Sequence, residues 1–202
     1  MSKQIFYGIT VVFFYLVSFS TSATIVSGEV TDGISLKKGG RFAKLSVPFL
    51  ESNPENTVGK DTFNNPNLYG FDEDQNIEIA NDLVVDILPN SRGEGVIPAG
   101  KMVASHYIFY DPRGITTQTG KVTFDSNIIG IITSSLNLSA SDRLANTGVT
   151  YLSPGLRGLE SSDRVSISGP RTITVDWSAG SPGDYIRVLT EFSPGAVFLL
   201  PD

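Results

Sequence analysis

The sequence predicts an all-β fold: a single β-sandwich of jelly-roll type with one short helix. Gly and Pro divide the chain after residue 23 into short segments. These segments are rich in Val, Ile, Thr, Phe and Tyr, and none shows the sustained apolar period of an amphipathic helix. Short β-branched and aromatic runs between turn residues are typical of sandwiches and barrels.

The N-terminus has the order of a secretory signal peptide. Lys3 supplies a positive charge, residues 5–19 are almost continuously apolar, and residues 20–23 are small. The apolar run is shorter than the roughly 20 residues of a membrane span, although a retained N-terminal anchor is the alternative. We expect cleavage after Ala23 and a secreted, extracellular or periplasmic single domain of residues 24–202 with no membrane span.

Eight segments are predicted as strands from their alternating or continuous apolar pattern. In order they are residues 76–88 (with a break at Asn81-Asp82), 101–110, 121–124, 128–132, 164–168, 172–177, 185–192 and 196–200.

Three local patterns refine these elements. The segments 164–168 and 172–177 flank Gly169-Pro170-Arg171 and predict a β-hairpin, because Gly and Pro favour turn dihedrals. Alternation over 185–192 predicts that Ile186, Val188 and Phe192 face the core. One short helix is expected over residues 139–146, with a serine cap and Gly148 close behind its end.

Composition limits the chemistry that this chain can perform. The formal net charge is −6, and it becomes −7 without Lys3, so we expect no nucleic-acid partner. There is no cysteine and a single histidine, His106. Thiol catalysis is therefore excluded, and a conventional zinc hydrolase is not expected. The remaining oxygen ligands suit calcium.

The acidic run at residues 71–76 is a candidate metal site. Asp72, Glu73 and Asp74 repel one another unless a cation or solvent relieves them. Asp72 and Asp74 are predicted to bind calcium as alternate oxygen ligands. The alternative is a solvated acidic entry to a strand.

Four residues are candidates for ligand binding: His106, Tyr110, Arg157 and Trp177. In a strand His106 and Tyr110 share one face, and an imidazole beside aromatic rings can bind a sugar by stacking and hydrogen bonding. The alternative is that these side chains fill the core. Trp177, the only tryptophan, has the same two interpretations.

Arg157 lies in a Gly- and Pro-rich loop, residues 151–160, whose constrained backbone predicts a defined shape. Shaped loops often carry binding residues. The alternative is an ion pair from Arg157 to Glu160 or Asp163 that holds the loop in place.

Six short segments, in their order, resemble a group of uncharacterised exported bacterial proteins that often end in a PEP-CTERM sorting tail. The segments are 71–76 (FDEDQN), 104–112 (ASHYIFYDP), 120–125 (GKVTFD), 141–144 (SDRL), 157–160 (RGLE) and 181–188 (SPGDYIRV). The resemblance implies export and a β-rich ectodomain in a surface or matrix setting, and it supplies no activity or catalytic residues. The last residues, 198–202, show no sorting motif, so free secretion is expected.

These observations predict an exported non-catalytic binding or extracellular-matrix module. Extracellular polysaccharide or matrix components are its candidate partners, and calcium is a candidate stabilising ion. Two alternatives stay open: a glycan-active enzyme that uses carboxylates, and a structural surface protein that assembles with copies of itself. No catalytic residue is assigned, because no nucleophile elbow, Walker loop or zinc-protease motif is present.

Overall fold

A computed structural model describes residues 23–91 and 93–192. Most of the predicted signal peptide and the predicted strand at 196–200 lie outside these residues. Within them, neither helix reaches the length and apolar character that a membrane crossing needs.

Strands predominate in the described residues, which confirms the all-β prediction. The strands are β1 (Ile25–Asp32), β2 (Phe42–Lys44), β3 (Thr57–Val58), β4 (Leu68–Asp72), β5 (Ile77–Glu78), β6 (Leu83–Val85), β7 (Gly95–Ile97), β8 (Met102–Tyr110), β9 (Thr116–Phe124), β10 (Ile128–Ile132), β11 (Thr150–Tyr151), β12 (Arg164–Gly169), β13 (Thr172–Ala179) and β14 (Asp184–Glu191). The two short α-helices are α1 (Gly33–Lys37) and α2 (Ser135–Ala140).

Two larger sheets organise the chain. A four-stranded antiparallel sheet has the order β1-β9-β13-β12, in which β12 and β13 form the predicted hairpin. A six-stranded mixed sheet has the order β10-β14-β8-β4-β2, and β5 also pairs with β8. In this sheet β2 runs parallel to β4, and the other pairs are antiparallel.

The six-stranded sheet is buried on both faces. Ile108, Ile186 and Val188 join an apolar core with residues of the four-stranded sheet, such as Val175 and Trp177. The opposite face carries a second, more aromatic core under the loops and α2. Its members include Tyr69, Phe71, Tyr107, Phe109 and Tyr185. Because both faces are covered, β14 is buried from Asp184 to Thr190.

The structure differs from the sequence prediction in several elements. Six strands were not predicted, namely β1, β2, β3, β4, β7 and β11, and the segment 76–88 contains two short strands, β5 and β6, in place of one. The helix begins at Ser135, four residues earlier than predicted, because the Ser134 hydroxyl accepts a hydrogen bond from the Asn137 N–H and caps it. A separate 3₁₀ turn follows at Asp142–Leu144. The inward placement of Phe192 is wrong, because β14 ends at Glu191 and Phe192 is 38 % exposed.

Candidate functional site

The acidic run at residues 72–74 divides between the two faces of the six-stranded sheet. Asp72 ends β4, and successive residues of a strand point to opposite faces. The Asp72 side chain bonds to His106, next to the core between the sheets. The Glu73 side chain enters the aromatic core and is buried. The interpretation of this run as a solvated strand entry is therefore wrong for Glu73.

Asp72, His106 and Thr190 form a hydrogen-bonded relay. The His106 Nδ1–H donates to Asp72 Oδ1 over 2.8 Å, since a carboxylate only accepts. The Thr190 hydroxyl lies 3.0 Å from His106 Nε2. Burial by itself would raise the pKa of Asp72. The hydrogen bond and the charge of His106, together with hydrogen bonds from Lys44 and the Ile25 N–H, oppose it and hold that pKa well below its usual range.

The relay has the order carboxylate, imidazole, hydroxyl, which is the order of a nucleophilic triad. His106 and Thr190 are both fully buried. A substrate carbonyl cannot reach Thr190 Oγ1 without the sheet opening, because Thr190 pairs with Ala104 inside the sheet. In this geometry the contacts to Asp72 and Thr190 fix the orientation of the His106 ring.

A second buried network centres on Glu73 and Arg187. Arg187 Nε donates to Glu73 Oε2 over 2.6 Å, and Nη2 donates to Oε1 over 2.9 Å. The hydroxyls of Ser105 and Tyr151 also donate to this carboxylate, over 2.6 and 2.7 Å. Arg187 Nη1 donates to Ser141 Oγ over 2.6 Å. A buried ion pair needs such supporting bonds to offset the loss of hydration.

Arg157 extends this network towards the surface. Its two terminal nitrogens donate to the two carboxylate oxygens of Asp142 over 2.9 and 2.7 Å. The prediction that Arg157 pairs with Glu160 or Asp163 is wrong, because the loop directs the guanidinium towards the 3₁₀ turn. Asp163 instead accepts hydrogen bonds from the backbone of Glu160 and Ser178.

Tyr110 and Trp177 are brought together in the core between the sheets. Their rings stack with centroids 6.4 Å apart. The Trp177 indole N–H donates to Gln118 Oε1 over 3.1 Å, and the Tyr110 hydroxyl lies 2.5 Å from Thr116 Oγ1. Both side chains are buried with satisfied polar atoms, as in a structural core.

The four candidate ligand residues therefore do not share one surface. His106, Tyr110 and Trp177 belong to the region between the sheets, whereas Arg157 lies beyond the opposite face. All four are buried. Their assignment to a ligand stays a prediction, and the contacts in this structure are packing and hydrogen bonding within the protein.

The calcium prediction also stays a prediction. Asp72 already accepts hydrogen bonds from Thr24, Ile25, His106 and Lys44. Burial and the charge of Glu73 raise the pKa of Asp74, which is the direction that a bound cation would reverse. Across residues 23–91 and 93–192, no three or more His, Cys, Asp or Glu side chains are grouped as metal ligands.

Two further carboxylates are buried without a cationic partner in the described residues. Asp184 begins β14 and is 4 % exposed, and its Oδ2 makes no hydrogen bond within this region. Burial, with the charges of Asp163 and Glu160, raises its pKa to about 8. Burial raises the pKa of Asp111 to about 6, although the Phe63 N–H donates to it.

A surface groove runs along β12, the terminal strand of the four-stranded sheet. Two depressions of about 570 and 400 Å³ share Asn90 and Ile167 and form this β12 groove. None of its described lining residues is charged. They are Ile87, Leu88, Pro89, Asn90, Ser91, Asn127, Ile128, Val165, Ser166, Ile167, Ser168, Gly169 and Pro170.

Sequence reasoning missed the β12 groove and the Glu73–Arg187 pair. One feature of the sequence pointed to the pair: Arg187 interrupts an apolar strand, and a charged residue there needs a partner. No sequence feature pointed to the groove, because residues 87–91, 127–128 and 165–170 meet only in the folded chain.

Comparison with known proteins adds no assignment. No protein-family model, no curated protein and no solved structure matches this chain.

Proposed function

We propose that this chain is an exported, non-catalytic binding module that holds an uncharged polysaccharide in the β12 groove. One observation carries the proposal: the groove combines amide and hydroxyl groups with aliphatic side chains and has no described charged residue. Amides and hydroxyls can hydrogen-bond sugar hydroxyls, and aliphatic groups can pack against sugar C–H surfaces. The acidic chain would repel polyanions.

The exposed surface favours a groove over a flat stacking platform. Among the large hydrophobic side chains that are exposed in the described region, only Phe192 is aromatic. A stack of sugar rings on tryptophan or tyrosine therefore does not carry the proposal. We also propose that the two sheets form a sandwich of jelly-roll type. The proposal further includes a relation to exported proteins that carry a PEP-CTERM tail.

The test is binding of the purified protein to a panel of neutral and anionic polysaccharides. Asn90→Gly removes an amide from the groove and suits the backbone there, because Asn90 has a φ of 65°. Asn64→Gly is the matched control, since Asn64 has a φ of 54° and lines a separate depression. We expect neutral glycans to bind and Asn90→Gly to weaken binding about 5- to 10-fold, with the control unchanged. No binding across the panel would refute the proposal.

The proposal includes calcium at Asp72 and Asp74, which thermal unfolding tests directly. A ligand that binds only the folded state at 100 times its dissociation constant adds about 2.7 kcal/mol to stability. We expect a higher midpoint with calcium than with a chelator, and loss of that difference in Asp74→Asn. Equal midpoints would remove calcium from the proposal.

A second candidate function, self-assembly, is favoured by the position of β12. A terminal strand with the aliphatic side chains Val165 and Ile167 beside the β12 groove can pair with the same strand of another copy. Sedimentation across a wide concentration range distinguishes the two functions. If the protein assembles, Ile167→Lys should abolish assembly, and Val84→Lys, at an exposed position of β6, should leave it unchanged. That result would favour a self-assembling structural protein.

A further inference from the structure

The backbone nitrogen of Thr24 is hydrogen-bonded to the side-chain carboxylate of Asp125. This nitrogen donates to Asp125 Oδ1 over 2.9 Å, and the Asp125 N–H donates back to the Thr24 carbonyl over 3.0 Å. Asp125 directly follows the last residue of β9, Phe124. Ile25, which directly follows Thr24, is in register with Phe124. The reciprocal bonds therefore hold Thr24 at the start of β1.

The neighbouring polar groups of this corner are already paired. Thr24 Oγ1 donates to Asp72 Oδ2 over 2.8 Å, and the Ile25 N–H donates to Asp72 Oδ1 over 3.0 Å. Lys44 forms an ion pair with Asp72 over 2.7 Å and donates to the Ile25 carbonyl over 2.9 Å. Asp125, in contrast, has no ion-pair partner among the described residues.

Residue 24 is also the first residue that the leader pattern predicts for the exported chain. Hydrolysis of the Ala23–Thr24 peptide bond consumes one water, leaves a carboxylate on Ala23 and frees the amine of Thr24. An α-amine of ordinary pKa near 8 takes up a proton at neutral pH. The bond from Thr24 to Asp125 then joins an ammonium to a carboxylate and becomes charge-assisted.

We propose that Thr24 is the processed N-terminus of the exported protein and that Asp125 is the ion-pair partner of its new ammonium group. Processing would thus supply the cation that Asp125 lacks, and the ion pair would stabilise the contact between the start of β1 and the end of β9. This inference rests on the predicted leader and is independent of the proposed polysaccharide ligand.

The experiment starts from the full 202-residue chain expressed in a secreting bacterium. The intact mass of the exported protein should equal that of residues 24–202. The α-amine is then acetylated selectively, which removes its charge and keeps one N–H donor. We expect acetylation to lower the thermal midpoint by about 2–4 °C, the shift produced by about 1 kcal/mol in a chain of this size.

Asp125→Asn separates the ion pair from other effects of acetylation. In this variant acetylation should no longer change the midpoint, whereas in Asp176→Asn, an exposed aspartate of β13, the full shift should persist. A mature chain that starts at another residue would overturn the proposal. So would equal midpoints of the acetylated and unmodified wild-type protein, a comparison that needs no variant to fold.

Discussion

The six-stranded sheet carries a carboxylate on each of its faces, and the two carboxylates differ in burial: Asp72 is partly exposed, whereas Glu73 is buried. Asp72 keeps 23 % of its side chain exposed and bonds to Lys44 and His106 at the edge of the core. Glu73 and Arg187 have fully buried side chains beneath the aromatic cluster. If the contacts of Asp72 are broken, its carboxylate can hydrogen-bond to water. The Glu73–Arg187 pair is enclosed, so its groups have no such replacement. Adjacent residues of one acidic run therefore differ in how much stability depends on them.

The largest expected effect comes from breaking the enclosed pair. Arg187→Met leaves the Glu73 carboxylate buried without its cation, and we expect a loss of about 3–5 kcal/mol in unfolding free energy. Urea unfolding at neutral pH measures it. The double variant Glu73→Gln/Arg187→Met should recover much of this loss, since no buried charge remains. A loss below about 1 kcal/mol in the single variant would show that water reaches the pair.

Asp184 sharpens the comparison because it starts β14, the strand of Arg187, and forms no ion pair with any residue that the structure describes. Its pKa of about 8 lies above the ordinary value of 3.8. Between these pH values the folded protein keeps a proton that the unfolded chain has lost, so stability falls as pH rises. We expect Asp184→Asn to be more stable than wild type at pH 8–9, by about 1–3 kcal/mol.

Unfolding curves from pH 5 to 9 measure this difference for Asp184→Asn. The exposed Asp176→Asn variant should follow wild type across the whole range. A constant difference between Asp184→Asn and wild type at every pH would contradict the raised pKa.

Asp72 should show the opposite pH dependence, because its pKa is held below the ordinary value. Its contribution is complete above about pH 5 and is lost as pH falls towards the folded pKa. We expect Asp72→Asn to cost about 1–2 kcal/mol at pH 7 and progressively less below about pH 5. Urea unfolding between pH 3 and 7 tests this, and a cost that persists unchanged in acid would argue for a purely steric role.

The smallest loss of unfolding free energy should come from the Arg157–Asp142 pair, which lies nearer the surface than the Glu73–Arg187 pair. The Asp142 side chain is 42 % exposed and binds Arg157 in bidentate fashion. We expect Asp142→Asn to cost about 1 kcal/mol, because solvent screens the exposed carboxylate and the Asn Oδ1 can still accept a hydrogen bond from the buried Arg157. The cost should shrink further in 1 M salt, in contrast to that of Arg187→Met. Equal salt sensitivity of the two variants would mean that both pairs are open to solvent.

Several strands were predictable because their signals are local. The run at residues 128–132 became β10 with the same bounds, and residues 101–110 became β8 with one residue less. The turn at Gly169-Pro170-Arg171 produced the expected hairpin. Alternation and turn propensity depend on neighbouring residues, so a single sequence contains them.

The site was less predictable, because burial depends on what covers each face. Alternation over 185–192 suggested one inward face, yet Tyr185 and Leu189 are as buried as Ile186 and Val188. The loops and α2 cover that second face, and their positions are set by distant contacts such as Arg187 with the Leu138 carbonyl. For the same reason, aromatic residues that pattern alone offered as ligand contacts lie inside the cores.

By itself, the sequence determined the all-β class, the hairpin and the positions of β8, β10, β12, β13 and β14, because β-branched periodicity and turn residues act over a few neighbours. Only the tertiary structure decided that Asp72 bonds to His106 while Glu73 bonds to Arg187, and that Thr24 meets Asp125. These pairs join residues between 34 and 114 positions apart, and their separation in space depends on sheet order and register, which no local pattern encodes.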